Sequence, residues 1–122
     1  SDGLGLKKIK DLGIPIWVIS SEKNPVVKVR CDKLELNCIH NCSDKLMTLQ
    51  AILSKENLNL EDASFIGNDI NDVLCLEKVG LPIIVADSHP DIIKLGRYIT
   101  KNTGGRGAVR EVCDLIVKYN TN

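Results

Sequence analysis

Short apolar runs alternate with amphipathic segments along this chain of 122 residues. The apolar runs predict buried strands at 14–20, 36–40, 63–67, 81–86 and 97–100. The segments between them place apolar residues at helical spacing and predict helices at 4–12, 24–34, 43–57, 70–80, 89–96 and 107–120. Such alternation is typical of βαβ units. We therefore expect an α/β fold with a doubly wound, mostly parallel sheet.

Helix boundaries carry their own signals. Asn24 followed by Pro25 predicts an N-cap and a first helical position, and Ser43 predicts the N-cap of the third helix. Gly13 and Gly80 stand where helical spacing stops, which is typical of glycine C-caps.

Composition narrows the class of partner. Sixteen basic residues balance sixteen acidic ones, so net charge offers no argument for nucleic acid. No apolar run approaches the roughly 20 residues that span a bilayer, so we expect no membrane partner. The odd number of cysteines, five, favours reduced thiols in a cytoplasmic protein. The run CIHNC at 38–42 lacks a second pair at zinc-ligand spacing, so buried thiols at a strand end are the simpler interpretation.

Candidate chemistry collects where strands are predicted to end. Ser20 ends the first strand, Lys45 opens the third helix, and GNDIND at 67–72 ends the next strand. Ligands of open α/β sheets bind beyond these carboxyl ends. A hydroxyl and a lysine suit a phosphate, whereas Asp69 and Asp72 offer the hard oxygen ligands that Mg²⁺ prefers. Each residue also has a structural alternative: a cap, a solvated lysine, or aspartates favoured by a helix dipole.

In chain order, these motifs resemble the haloacid dehalogenase phosphatase superfamily. The runs GLGLKKIKDLGI, EKVGLPIIVADSHPDI and GGRGAVREVCDLI are similar to its branch without a cap domain. That branch includes the 3-deoxy-D-manno-octulosonate 8-phosphate (KDO-8-phosphate) phosphatases and the phosphatase-like C-terminal domains of CMP-sialic acid synthetases. The resemblance covers essentially the whole chain.

The resemblance implies a Mg²⁺-dependent phosphatase with an aspartyl-phosphate intermediate. It implies that Ser20 binds the transferring phosphoryl group and that Lys45 stabilises its charge. It assigns Mg²⁺ to Asp72 with its neighbours Asn68 and Asp69. A homotetramer acting on a small-molecule sugar phosphate is also implied.

The sequence departs from the family pattern in three places. The family's first strand, whose Asp-x-Asp motif supplies the nucleophile, has no counterpart in these residues. We therefore expect 1–122 to be one domain, a fragment that lacks a strand beside 14–20. Ser21 and Glu22 replace a usual Gly-Arg, which changes the substrate-binding set Ser21, Glu22 and Lys23. Asn68 replaces the usual first aspartate of the fourth motif, so a weakened Mg²⁺ site is expected.

Two functions from different classes remain open. One is a phosphatase for an acidic sugar phosphate, of the KDO-8-phosphate or acylneuraminate-9-phosphate class, that is catalytically incomplete as given. The other is a non-catalytic domain that assembles an attached CMP-sialic acid synthetase. Ser20, Lys45 and Asp72 favour the enzyme, whereas Glu22 and Asn68 favour the assembly domain.

Overall fold

Helices and strands alternate as the apolar periodicity predicted. The computed structural model describes residues 2–121. Its strands are β1 Trp17–Ile19, β2 Asn37–Ile39, β3 Ser64–Gly67, β4 Leu81–Ile84 and β5 Tyr98–Ile99. Its α-helices are α1 Asp2–Asp11, α2 Val26–Lys33, α3 Lys45–Lys55, α4 Val73–Lys78, α5 Pro90–Ile93 and α6 Ala108–Thr121. Single 3-10 turns lie at Leu60–Asp62, Ile70–Asp72 and Gly104–Arg106.

All strand pairing is parallel, but the strands form two separate sheets. Strand β1 pairs with β2, and β4 lies between β3 and β5. Within residues 2–121, no backbone pairing joins β1 to β3. The α/β fold with parallel strands is confirmed. Among the described strands, the interruption lies between β1 and β3.

Helices α3 and α4 connect the two sheets through one hydrophobic cluster. Its buried members are Leu49 and Leu53 of α3 with Cys75 and Val79 at α4. Ile19 of β1 and Phe65 of β3 pack against this same cluster. The two sheets therefore share part of their core although their backbones do not pair.

The first and last α-helices form a second packed pair. Helix α1 packs along α6. Ile9, Val112 and Cys113 are buried in this contact region, each at most 3% exposed. The packing explains the apolar spacing that predicted both helices.

Two predicted N-caps are displaced by one residue. The N-cap of α3 is Asp44 and not Ser43, because Asp44 has the extended backbone and its carboxylate accepts an N–H from the first turn. The N-cap of α2 is Pro25 and not Asn24. The Asn24 side chain nevertheless accepts the backbone N–H of Val26, at 3.0 Å.

The helix predicted at 70–80 is shorter and is broken at its start. A 3-10 turn occupies Ile70–Asp72, and only Val73–Lys78 is α-helical. Gly13 has the left-handed φ of 78° expected of a C-cap, but Gly80 does not. A Cβ on Gly80 would lie 2.0 Å from the carbonyl oxygen of Glu61. Glycine is required there by close backbone approach rather than by a helix cap.

The described chain contains no helix with the length and apolar character needed to cross a membrane. No disulfide joins the cysteines of the described residues.

Candidate active site

The loop that follows β1 is fixed by backbone bonds to the end of β2. Ser20 donates its N–H to the carbonyl of Ile39, and its carbonyl accepts from Cys42, both at 2.9 Å. The Ser20 hydroxyl oxygen accepts the N–H of Glu22, at 3.1 Å. The hydroxyl is therefore held at the carboxyl end of β1, where the sequence predicted a phosphate-binding group.

Lys45 and Asp72 form an ion pair, although 27 residues separate them. The Lys45 Nζ lies 2.8 Å from Asp72 Oδ1, and the two side chains are only 12% and 5% exposed. Lys45 is the first residue of α3 and Asp72 ends the turn before α4, so packing of the two helices brings them together. A buried pair of this kind is hard to break because either charge alone would be poorly solvated.

The second oxygen of Asp72 is also occupied. Asp72 Oδ2 accepts the backbone N–H groups of Asn68 and Asp69, at 3.1 and 3.2 Å. The bond from Asp69 and the reciprocal bond from the Asp72 N–H to the Asp69 side chain close the 3-10 turn as a capping box. Asp72 therefore orients Lys45 and caps the turn, which is its structural alternative, whereas its role as a Mg²⁺ ligand stays a prediction.

The other two predicted metal ligands are more accessible. Asn68 and Asp69 are exposed. Asp69 Oδ1 accepts the N–H of Ile70 at 2.7 Å, so that oxygen serves as the N-cap of the turn. Among residues 2–121, no group of three or more histidine, cysteine, aspartate or glutamate side chains is arranged to hold a metal ion.

Gly67 leaves room for the Asp72 side chain. A Cβ on Gly67 would lie 2.9 Å from Asp72 Cβ and 3.0 Å from Leu76 Cδ1. Carbon atoms that are not bonded to each other rarely approach this closely, so a larger residue than glycine would clash here. Glycine at the end of β3 therefore lets the turn fold back on the strand.

The predicted substrate-binding residues lie in the exposed loop after β1. Ser21, Glu22 and Lys23 are all exposed. The Glu22 carboxylate accepts the N–H of Asn24 at 2.9 Å, so it stabilises the turn that leads into α2. Glu22 therefore has a structural role in this turn, which the sequence did not suggest.

One contact joins the two strand ends directly. Asn71 Nδ2 donates to Ser21 Oγ at 3.0 Å, across 50 positions of sequence. Asn71 was not among the predicted site residues. Its position inside GNDIND could have indicated that Asn71 lies at the site, but residue spacing could not identify Ser21 as its partner.

Comparison with known proteins identifies the family of this chain. Residues 8–112 match the haloacid dehalogenase-like hydrolases. The chain is 38% identical over 117 residues to the 3-deoxy-D-manno-octulosonate 8-phosphate phosphatase KdsC of Escherichia coli. That alignment covers 95% of this chain and 62% of the relative, so the chain spans less than two thirds of the length of such curated relatives.

Solved structures give the same result. The KDO-8-phosphate phosphatase of Moraxella catarrhalis, crystallised with magnesium, phosphate and KDO, superposes with a TM-score of 0.91 at 36% identity. The match covers 96% of this chain and 68% of that one. The Yersinia pestis phosphatase also has a TM-score of 0.91, at 34% identity over 96% of this chain and 64% of its own. The chain therefore belongs to the haloacid dehalogenase-like hydrolase family, as the residues Ser20, Lys45 and 67–72 predicted.

Proposed function

We propose that this chain supplies most of the active site of a Mg²⁺-dependent phosphatase for an acidic sugar phosphate. KDO-8-phosphate is the first substrate to test, and acylneuraminate 9-phosphate is the second. The observation that carries the proposal is the buried Lys45–Asp72 pair at the strand ends that hold Ser20. The printed names of the phosphatases from Escherichia coli and Moraxella catarrhalis support the substrate class.

Each residue has a role that its surroundings allow. The Ser20 oxygen already accepts one N–H, so its own proton is available to donate to a phosphoryl oxygen. The ion pair with Asp72 fixes the Lys45 Nζ, which positions its ammonium group for a phosphoryl group. Ser21, Glu22 and Lys23 are exposed at the rim, where Lys23 can attract an acidic sugar.

The residues that would hold Mg²⁺ are Asn68, Asp69 and Asp72, and they fit the ion in part. The exposed side chains of Asn68 and Asp69 offer oxygens of the kind Mg²⁺ accepts. Asp72 fits less well because Lys45 and two backbone N–H groups already occupy its oxygens. Bound Mg²⁺ would neutralise charge on the phosphoryl group.

The nucleophile is the element that these residues do not provide. Asp72 is buried and both of its carboxylate oxygens already accept hydrogen bonds, so we do not assign the attack on phosphate to it. We therefore propose that an aspartate on a further strand, in a segment outside these 122 residues, forms the phosphoryl intermediate.

A chimaera tests this function directly. The part of the Escherichia coli phosphatase that has no counterpart here would be joined to this chain. We expect the chimaera to hydrolyse KDO-8-phosphate with Mg²⁺ and the chain alone to be inactive. Lys45→Met should abolish turnover by the chimaera, whereas Lys55→Met, on the same helix, should not. A folded chimaera without activity would contradict the proposal.

A second candidate is a non-catalytic assembly domain attached to a CMP-sialic acid synthetase, which would itself form a homotetramer. The uncharged Asn68 supports it, since it lowers the charge available to a metal. Exposed apolar side chains beside the site also support it: Met47 is 64%, Ile70 72% and Leu74 58% exposed. The variant Asn68→Asp in the chimaera separates the phosphatase from the assembly domain. If it lowers the Mg²⁺ concentration needed for activity, the result favours the phosphatase. If the variant is inactive but forms a stable tetramer, the result favours the assembly domain.

A further inference from the structure

One side-chain bond joins the two loops that carry the candidate site. Asn71 Nδ2 donates to Ser21 Oγ at 3.0 Å, and we call this contact the Asn71–Ser21 bridge. We infer that Asn71 and Ser21 are positioning residues, whose bridge sets the separation between the phosphate-binding loop after β1 and the proposed metal-binding turn after β3. The inference rests on the proposed function and gives Ser21 a task other than direct substrate binding.

The loop after β1 is held by backbone bonds from the β2 side. The carbonyls of Ser20 and Glu22 accept backbone N–H groups from the segment just after β2, at 2.9 and 2.8 Å. Ser21 lies between these two anchored residues, and its hydroxyl oxygen receives the bond from Asn71. The bridge therefore connects the loop to the β3 side, which these backbone bonds do not reach.

The turn after β3 gives the bridge a fixed base. Asn71 lies in the 3-10 turn immediately before Asp72, whose carboxylate binds Lys45 and two backbone N–H groups at the start of the turn. The side chains of Asp72 and Lys45 are only 5% and 12% exposed, so the turn is held from inside the fold. The exposed side chains proposed for Mg²⁺ belong to this same turn. A bond from Asn71 to the other loop therefore fixes the separation of the two ligand-binding segments.

The bridge depends on a hydroxyl that the family pattern lacks. Ser21 stands where the family usually has glycine, which offers no side-chain acceptor. Asn68 departs from the same pattern by bringing no charge to the metal site. The chain thus has a contact between its two loops and lacks one metal-ligand charge. Both ends of the bridge are uncharged, so the bridge itself competes with neither phosphate nor Mg²⁺.

Holding the two loops in place before binding favours a pair of ligands that needs both loops. Ser20 would bind phosphate on one loop, and the turn after β3 would hold the ion that neutralises its charge. Segments that are ordered before binding lose less freedom when the ligands bind. Removal of the bridge should therefore weaken the mutual effect of Mg²⁺ and phosphate more than the affinity for either one alone.

Phosphate binding to the chimaera tests the bridge without any need for turnover. Calorimetry would measure the dissociation constant of inorganic phosphate with and without saturating Mg²⁺. The factor by which Mg²⁺ tightens phosphate binding should fall about fivefold in Asn71→Ala and equally in Ser21→Ala. The double variant should lose no more than either single variant, because one bond is removed in all three.

Two further variants serve as matched controls. Ser21→Thr retains a hydroxyl at the bridge and should keep the full effect of Mg²⁺ on phosphate binding. Ser54→Ala removes an exposed serine near the end of α3 and should keep it as well. Urea unfolding of the 122-residue chain should remain cooperative in every variant, which excludes misfolding as the cause of a loss.

Kinetics of the chimaera separate positioning from catalysis. In Asn71→Ala, the KM for KDO-8-phosphate and the Mg²⁺ concentration for half-maximal activity should rise about fivefold, whereas kcat should change less than about twofold. A loss of kcat at unchanged KM would overturn the positioning role.

The binding results distinguish failure of the bridge from failure of the proposed function. An unchanged effect of Mg²⁺ in Asn71→Ala, or a double variant that loses the product of the two single losses, would overturn the bridge even in an active chimaera. A chimaera that hydrolyses no sugar phosphate, but loses the effect of Mg²⁺ in both single variants, would contradict the proposed function and support the bridge. Absence of phosphate binding in the parent chimaera would overturn both.

Discussion

Strands β1 and β4 are both short and apolar, but their surroundings differ. Strand β4 lies between β3 and β5, and its Ile83 and Ile84 are almost completely buried. Strand β1 has only β2 beside it, and its three residues are half-buried. The difference shows that similar sequences reach different burial because one region completes its backbone pairing and the other does not. The site residues lie where these two regions meet.

The contact most important to both regions is the buried ion pair. Asp72→Ala would leave the Lys45 ammonium buried without its partner, and we expect the free energy of unfolding to fall by about 3–5 kcal/mol. The matched variant Asp69→Ala removes an exposed cap and should cost about 1 kcal/mol. Urea unfolding measures both. Equal losses would show that the pair does not hold the two regions together.

Truncating one isoleucine in each region compares them directly. Ile84→Ala removes a fully buried side chain between two strands and should cost about 4 kcal/mol. Ile19→Ala removes the same atoms from a half-buried position and should cost about 2 kcal/mol. Urea unfolding again measures both losses, and the dependence of the unfolding free energy on urea concentration should be the same for both variants. A larger loss at Ile19 would contradict the comparison.

The close approach at Gly80 tests how tightly the β3–β4 region is packed. Gly80→Ala places a methyl group 2.0 Å from the Glu61 carbonyl oxygen, which must move, and should cost about 1–3 kcal/mol. Gly104→Ala is the control because its nearest neighbour, Val85 Cγ1, lies 3.7 Å away. Thermal unfolding should separate the variants by several degrees. A neutral Gly80→Ala would show that this packing is loose.

The smallest expected effect is a pH dependence at the far edge of the sheet. Burial acts to raise the pKa of Glu111, but hydrogen bonds from the Tyr98 hydroxyl and from the amides of Lys101 and Asn102 outweigh it and lower the pKa below 4.5. A lowered carboxyl pKa stabilises the fold above the unfolded-state pKa, and this stability is lost as the pH falls further. Stability should therefore decline below pH 4.5.

Glu111→Gln removes that titration. Its unfolding free energy should decline less steeply below pH 4.5 than that of the parent chain, as urea titrations at successive pH values would measure. If the unfolding free energy of the variant and of the parent chain declined equally with pH, Glu111 would be excluded as the source of the pH dependence. Because Glu111 lies on α6, this variant should leave amide hydrogen exchange at Ile19 unchanged.

The sequence predicted the features that depend on local pattern. Strand and helix alternation followed from apolar periodicity, and the strand ends carrying Ser20, Lys45 and Asp72 followed from the same pattern. The lack of a strand beside β1, expected from the absence of an Asp-x-Asp segment, stays a prediction.

Features that depend on three-dimensional contact were less predictable. Ser43 and Asp44 are both good caps, and only the backbone conformation decides between them. The role of Gly80 depends on a carbonyl nearly twenty residues away in sequence. The Asn71–Ser21 bond joins a 3-10 turn to a distant loop, and the Lys45–Asp72 pair arises where α3 packs near α4, so residue spacing could not specify either contact.

The interruption of the sheet between β1 and β3 is the feature that most distinguishes the two regions. Residue-resolved amide exchange of the chain alone, at low concentration, tests it on neighbouring residues of one strand. Phe65 faces β4 and should be protected, whereas Ile66 faces away from it and should exchange at least about tenfold faster. Equal protection of the two amides would contradict the account, because it would mean that β3 is paired on both edges.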